Sequence, residues 1–522
     1  MRRLRGALGA AVIVCLAGGC LSVPGAMAQV AEWTTSQGNP QRTGWQKQED
    51  RITPQTVRHF QLLWKVKTGS PPRALAGLLE PLIAADVAIP SGRTSLVLEV
   101  GASGDAYALD ANRGAIVWHR QFSWLSDRPT AARFPKGFIC EDGLTATPVA
   151  TPAGAGPRFL YVLTVDGYLH ALDLATGAER EPARKMMQRP YAKANGLNLF
   201  HGAIYTVTGQ GCGGNANSIY ELNLATGKTS QFEPQQAGIW GVWGAAIGGD
   251  GTIYLETGDG DYDAATHALA TSILAVAPGD LRLVNYYTPR DYLWLTQRDL
   301  DLNFTPVVFP FHGRQLLVAS GKVGRFYLLD AKNPGGADHQ TPLYESPLIS
   351  NTNINFQTEG SWGGGASWRD GGGARWFLAP IGGPSNPQVH FPVTHGPTPD
   401  GGVVAFRVEE RKGRPVLAPA WKSRDMVTAE TPVIAGGVVF ELGGGEFTGQ
   451  ANDFGDGLFS AMERVERSVP AVLYALDATT GRVLWTSGRQ VTSFVHQGGM
   501  AVANGRVVFG TNDGTVYCFG LK

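Results

Sequence analysis

The stretch YALDATTGRVLW, Tyr474 to Trp485, reads as a strand, a tight polar turn and a second strand that ends in tryptophan. Alternation along an extended chain puts Tyr474 and Leu476 on one side and Ala475 and Asp477 on the other. Asp477 is placed to accept hydrogen bonds from the turn backbone, and Gly481 supplies a left-handed position. Trp485 is a large flat anchor suited to packing between neighbouring units. Looser copies begin at Tyr107, His170, Tyr220, Leu274, Tyr327, Val404 and Tyr517, which with Tyr474 makes eight.

Each copy follows an apolar segment ending near glycine, such as RFLYVLTVDGYL or GRVVFGTNDGTV, so the unit is three strands joined by Asp/Asn/Gly turns. The copy at Tyr517 stops at YCFGLK, without its TG…LW strand. A matching segment, QLLWKVKTG, lies instead at Gln61 to Gly69. If that segment completes the final sheet, the ring closes and no strand edge is left open. The expectation is an all-β fold: an eight-bladed β-propeller closed by N- and C-terminal strands, one domain over residues 29–522. A Trp-Asp array has a shorter period, and an open solenoid needs capping repeats rather than a split one. The repeated residues are architectural, so chemistry belongs to segments that do not repeat.

Composition agrees. The 522 residues include 69 Gly, 32 Pro and 13 Trp, which suits many short strands and frequent turns. Lys plus Arg and Asp plus Glu are balanced at 44 each, so no polyanion such as nucleic acid is expected as a partner. At the N-terminus Arg2, Arg3 and Arg5 precede the apolar run ALGAAVIVCLAGG, and AMA at Ala26–Ala28 gives a small-x-small cleavage pattern. Residues 1–28 are expected to be a signal peptide, placing the mature chain in the periplasm or secreted; a lipid anchor at Cys20, after LAGG, is the weaker alternative. With Cys15 and Cys20 in the signal, Cys140, Cys212 and Cys518 remain, an odd number for an oxidising compartment.

The repeat resembles that of the pyrroloquinoline quinone (PQQ) family, the quinoprotein alcohol dehydrogenases and their non-enzymatic relatives. The opening segment from Trp33 to Gly69 is similar to the start of those dehydrogenases. In them PQQ lies on the propeller axis beside Ca²⁺, over a tryptophan, with an aspartate as base and a basic side chain at the quinone. By resemblance, GIWGVWG puts Trp240 under the ring, and ETGDGDYD puts Asp259 at a metal-ligand position. RDLDLNF places the catalytic base and metal ligand at Asp299, with Asp301 as the nearby alternative, and SGKVG places the basic residue at Lys322. A carboxylate beside a hard cation can take an alcohol proton, and a lysine can polarise the developing oxyanion.

Two departures accompany the resemblance. The family's glutamate metal ligand falls at Cys212, and the adjacent cysteine pair that covers the cofactor is reduced to Cys140. The expectation is one Cys140–Cys212 disulfide over the axial mouth; a Cα separation beyond about 7 Å would exclude it. No CxxCH occurs, so covalent haem is not expected and electrons would leave to a separate acceptor. Other spellings carry less. GQGCGG at Gly209–Gly214 runs into a strand pattern rather than a helix, so it does not read as a dinucleotide fingerprint. Asp259–Asp263 lacks the glycine of a calcium-binding EF-hand loop, and His390 and His395 have no zinc-ligand partners. Two functions follow: a PQQ- and Ca²⁺-dependent oxidoreductase acting on a small-molecule alcohol, or a non-catalytic propeller scaffold that binds a protein partner, of the outer-membrane assembly type.

Overall fold

Each copy of the repeat forms the third and fourth strands of a small antiparallel sheet, and eight such sheets follow one another along the chain. In this computed structural model the described residues are 30–73, 75–122, 140, 143–154, 156–234, 238–451 and 457–522. The expected signal peptide and Cys20 lie outside them. The blades span residues 82–121, 149–185, 193–232, 239–287, 307–345, 366–422 and 433–486, and the eighth combines 501–520 with 61–67. In this eighth blade the strand Gln61–Lys67 pairs antiparallel with Thr515–Gly520, from Gln61 opposite Gly520 to Lys67 opposite Thr515. The ring is therefore closed by the split blade, as expected. Among the described residues no helix is long and apolar enough to cross a membrane.

The repeated turn works by a fixed set of contacts. Asp477 Oδ1 accepts hydrogen bonds from the Thr479 and Thr480 amides, both at 3.0 Å. Asp110, Asp173 and Asn223 do the same in blades one to three. Gly481 has φ +71°, and a β-carbon there would lie 2.4 Å from the ring of Trp421. Trp421 belongs to the outer strand of blade six, and its indole N–H donates to Ala478 O at 3.1 Å in blade seven. Trp64 docks in the same way on Gly114 and donates to Ala111 O, and Trp118 docks on Gly177 and donates to Leu174 O. The glycine is needed for its backbone and for the bare face that receives the neighbouring indole.

Trp485 departs from this pattern. It is half-buried and packs edge-on against Phe60 and Phe519, with centroids at 5.8 and 5.5 Å. The reason is the split: blade eight has no turn between its third and fourth strands, so nothing there can receive an indole.

The segment from Trp33 to Gln46 runs once around the ring, bonding to the innermost strand of each blade in turn. Trp33 N donates to Ile83 O, and Ala150 N to Thr34 O. Asn198 Nδ2 and Ile247 N both donate to Pro40 O. Val308 N bonds Gln41 O, Ser367 N bonds Thr43 O and Ile434 N bonds Gly44 O. Gln46 Nε2 finally donates to Val502 O in blade eight. This inner hoop thus bonds to all eight blades.

Candidate functional site

In blades three and four the innermost strand is broken in two, with the short first pieces Lys193–Ala194 and Ile239–Trp240 ahead of the piece that meets the hoop; ahead of blades five and six the first pieces Phe304–Thr305 and Gly363–Gly364 pair with each other in parallel. The loops that enter these first pieces gather at one end of the axis. So do the loops that leave each second strand: Cys212, Asp259, Lys322 and Glu446 each fall within three residues after the second strand of blades three, four, five and seven. Trp243 of blade four forms the floor between this end and the hoop. It is 1% exposed, its indole N–H donates to Thr431 Oγ1 at 2.9 Å in blade seven, and its ring abuts Gly499 ahead of blade eight.

Four candidate side chains meet on the blade four–five side. Asp259, Asp299 and Asp301 each offer a carboxylate oxygen, all within 4.8 Å of one another. Lys322 Nζ lies 2.7 Å from Asp301 Oδ1 and also pairs with Asp299 Oδ1. Asp301 is 1% exposed and Asp299 half-exposed, the latter in a left-handed conformation with φ +53°. Trp240 stands beside them: a β-carbon on Gly258 would fall 2.3 Å from Trp240 Nε1 and 2.4 Å from Asp301 Oδ2. Lys193 Nζ lies 6.0 Å from the Trp240 ring and Lys322 Nζ 5.6 Å from that of Trp362.

The electrostatics follow from crowding three acids round one ammonium. Burial, with Asp301 and Asp299 nearby, pushes Asp259 up to about 8. Burial also raises Asp301, against the opposing pull of Lys322. Burial alone would lower Lys322, but Asp301 and Asp299 hold it above its ordinary value. Asp259 Oδ1 is buried and accepts no hydrogen bond, and the buried Asn303 side chain makes none either. A cluster of hard oxygens with buried, unsatisfied members fits a hard cation. The flat, half-buried Trp240, with Lys193 Nζ near its ring, fits a planar anion. Asp261 and Asp263 take no part; Asp263 caps the amide of Ala265.

Cys140 and Cys212 form a disulfide with a Cα separation of 5.5 Å, well inside the limit set above. It stands one blade from Trp240, on the loop after the strand Ala203–Gly209. Among the described residues Cys518 is the free cysteine, buried in the closing strand. The Cys212–Gly214 turn leads into the strand Ile219–Asn223, so no helix follows GQGCGG.

A cavity of about 630 Å³ opens beside the cluster, lined by blades six to eight together with Val242. Trp240, Asp259, Asp299, Asp301 and Lys322 do not line it; the link between cluster and cavity is Trp362, a lining residue whose ring lies 5.6 Å from Lys322 Nζ. Sequence reasoning missed its members, chiefly Trp362, Glu430, Glu446 and His496. Positional equivalence was the available signal, since Glu446 sits on the same loop as Cys212, Asp259 and Lys322.

Residues 470–521 match the family described as outer membrane protein assembly factor BamB. Among curated proteins no sequence match is found. Solved structures align over most of the chain at low identity. A quinohemoprotein alcohol dehydrogenase from Comamonas testosteroni gives a TM-score of 0.60 at 15% identity, covering 94% of this chain and 80% of that one. A europium-containing methanol dehydrogenase gives 0.56 at 15%, covering 94% and 98%. BamB from Moraxella catarrhalis gives 0.50 at 15%, covering 88% and 100%. The chain thus carries the PQQ-type repeat and the eight-bladed fold those proteins share.

Proposed function

We propose that this PQQ-type propeller is an exported oxidoreductase that oxidises an alcohol, using PQQ and Ca²⁺ at its axis. The observation that carries this reading is the meeting of Asp259, Asp299, Asp301 and Lys322 beside Trp240 at one axial point. When bound, the quinone supplies an acceptor for the hydride of the alcohol. Trp240 offers the platform, with Lys193 and Lys322 placed for anionic groups. Asp259 and Asp299, with Asp301 beside them, would hold the cation. Asp299, the most exposed of the three acids, takes the hydroxyl proton. Lys322 neutralises that carboxylate in the resting protein and orients it. The Cys140–Cys212 disulfide borders the axial mouth, and electrons pass to a separate acceptor.

The test is reconstitution. Purified protein is titrated with PQQ in the presence of Ca²⁺, and in a parallel arm Eu³⁺, because the third carboxylate favours a higher cationic charge. Quinone absorbance retained through desalting, with alcohol-dependent reduction of an artificial dye, is the expected result. No bound quinone in either arm sinks the proposal.

A scaffold reading has its own support: Cys212 stands where the dehydrogenases carry glutamate, Lys322 already neutralises part of the acid cluster, and residues 470–521 match the assembly-factor family. On that reading the axial end docks a protein, and failure of reconstitution favours it.

A further inference from the structure

The cavity beside the cluster has a charge character of its own. Glu446, 4% exposed, is paired twice: Arg464 donates to Oε1, and His496 Nδ1 lies 2.7 Å from Oε2. Its charge is therefore answered within the protein. Glu430 differs. It is 8% exposed and lines the cavity, and its Oε1 accepts the Gln497 amide at 3.3 Å. No hydrogen bond reaches its Oε2, and no ion pair forms at Glu430 among the described residues. Burial, then the neighbouring charge of Glu446, raises Glu430 to about 8. Behind it Glu441 is fully buried with both oxygens unpartnered. At the rim Asp400 also has no ion pair among the described residues, and its nearest charged neighbour is another acid, Asp425.

Such an arrangement is expensive unless something cationic completes it, because a buried carboxylate without a partner carries its full desolvation cost. The basic side chains of the cavity answer it only in part: Arg464 and His496 both bond Glu446, and the charge of His496 offsets the raising of Glu430 without cancelling it. The apolar part of the wall includes Trp362, Phe447 and Phe459, the kind of aromatic lining that accompanies organic ammonium groups. At about 630 Å³ the space is that of a small-molecule site. Its wall carries both Trp362, against which Lys322 of the acid cluster stands, and Glu430.

We infer that this cavity selects a small organic cation through Glu430, so that the alcohol presented to Asp299 and Lys322 is an amino alcohol. The substrate class rests on the oxidoreductase reading above; the cation site does not. A ligand spanning the cavity places its hydroxyl at the cluster and its ammonium at the Glu430 carboxylate, which then ionises against a partner inside the cavity.

The probe pair is 5-aminopentan-1-ol and hexan-1-ol, near-isosteric and differing in charge. Calorimetric titration of the purified protein is expected to give at least tenfold tighter binding of the amino alcohol, with the preference lost in Glu430→Gln. Asp400→Asn, at the exposed rim, serves as a second variant that leaves the core untouched and is expected to weaken the preference about twofold to threefold. Equal binding of the two probes, or a preference that survives Glu430→Gln in folded protein, overturns the cation site. Selective binding without dye reduction in the reconstituted protein supports the site and overturns the oxidoreductase reading. Dye reduction that ignores the amine overturns the substrate class and leaves that reading standing.

Discussion

The outer turns and the axial loops of this propeller are built on the same strands, yet they hold their polar residues in opposite electrostatic states. In the outer turns each aspartate is saturated with local hydrogen bonds. Against the effect of burial, bonds from Thr479 and Thr480 pull Asp477 below 3.8, and bonds from Arg180 and Thr176 do the same for Asp173. At the axial end and along the inner face, burial wins. It lifts Glu80 to about 7 and Glu430 to about 8, and takes Glu99 and Glu441 well above 4.5. The contrast separates two tasks. Local satisfaction fastens blades, whereas buried acids left short of partners, such as Glu430 at the cavity, keep binding potential in reserve at the stability cost familiar from functional sites.

Three changes would break or sharpen that contrast. The largest effect is expected from Asp299→Asn in reconstituted protein: dye reduction falls by about 10²–10⁴, as for loss of a general base. Its melting temperature should stay near that of the parent, because Asp299 is half-exposed. A comparable loss of stability would move Asp299 from the functional set to the structural one.

Next comes a pair of tryptophans that read alike in the repeat. Trp421→Ala empties a fully buried site on the Gly481 turn and should cost about 3–5 kcal/mol in denaturant unfolding. Trp485→Ala, half-buried and without a receiving turn, should cost only about 1–2 kcal/mol. Equal costs would mean that docking on the turn adds nothing to simple burial.

The smallest effect is a slope. For the raised glutamates the stabilisation is fully present below the ordinary 4.5 and is lost as pH rises towards the folded values near 7 and 8, since the folded chain keeps protons that the unfolded chain releases. The lowered aspartates act in the other direction, losing their contribution only as pH falls below 3.8. Thermal stability should therefore peak near pH 4–5 and decline towards pH 8. Glu441→Gln should flatten the decline by about 1 kcal/mol per pH unit. A stability that rises from pH 5 to 8 would contradict this.

Much of the fold was legible because a propeller writes its outer turns repetitively. Asp, Gly and Trp recur at fixed spacing, so eight copies, one of them split, are enough to count blades and predict the closing strand. Trp485 reads as an anchor from its place at the end of the repeat, and the split that removes its receiving turn is visible in the sequence, but spacing alone does not carry the effect of that split to the neighbouring blade. The axial residues follow a different rule. Cys212, Asp259, Lys322 and Glu446 occupy equivalent loops but share no residue type, so periodicity cannot find them. Resemblance reached the first three and Trp240. It did not reach Glu430, Glu446, His496 or Trp362, which face a cavity assembled from blades six to eight. The reach of Trp243 to Thr431 and Gly499 is a contact across the ring, which no local pattern encodes.

The hoop from Trp33 to Gln46 has a consequence of a different order. Its hydrogen bonds follow the blades in sequence, the first to Ile83 and the last to Val502. It is a ruler with eight marks. A duplicated or deleted blade, the commonest accident in a repetitive gene, would leave the ruler with a mark too few or too many and strand buried backbone groups without partners. The blades themselves, each content with any neighbour of the same kind, could not register the error. Copy number in this ring is thus held by fourteen residues, of which only Trp45 and Gln46 join a blade, as a short strand beside Ile434 and Ala435.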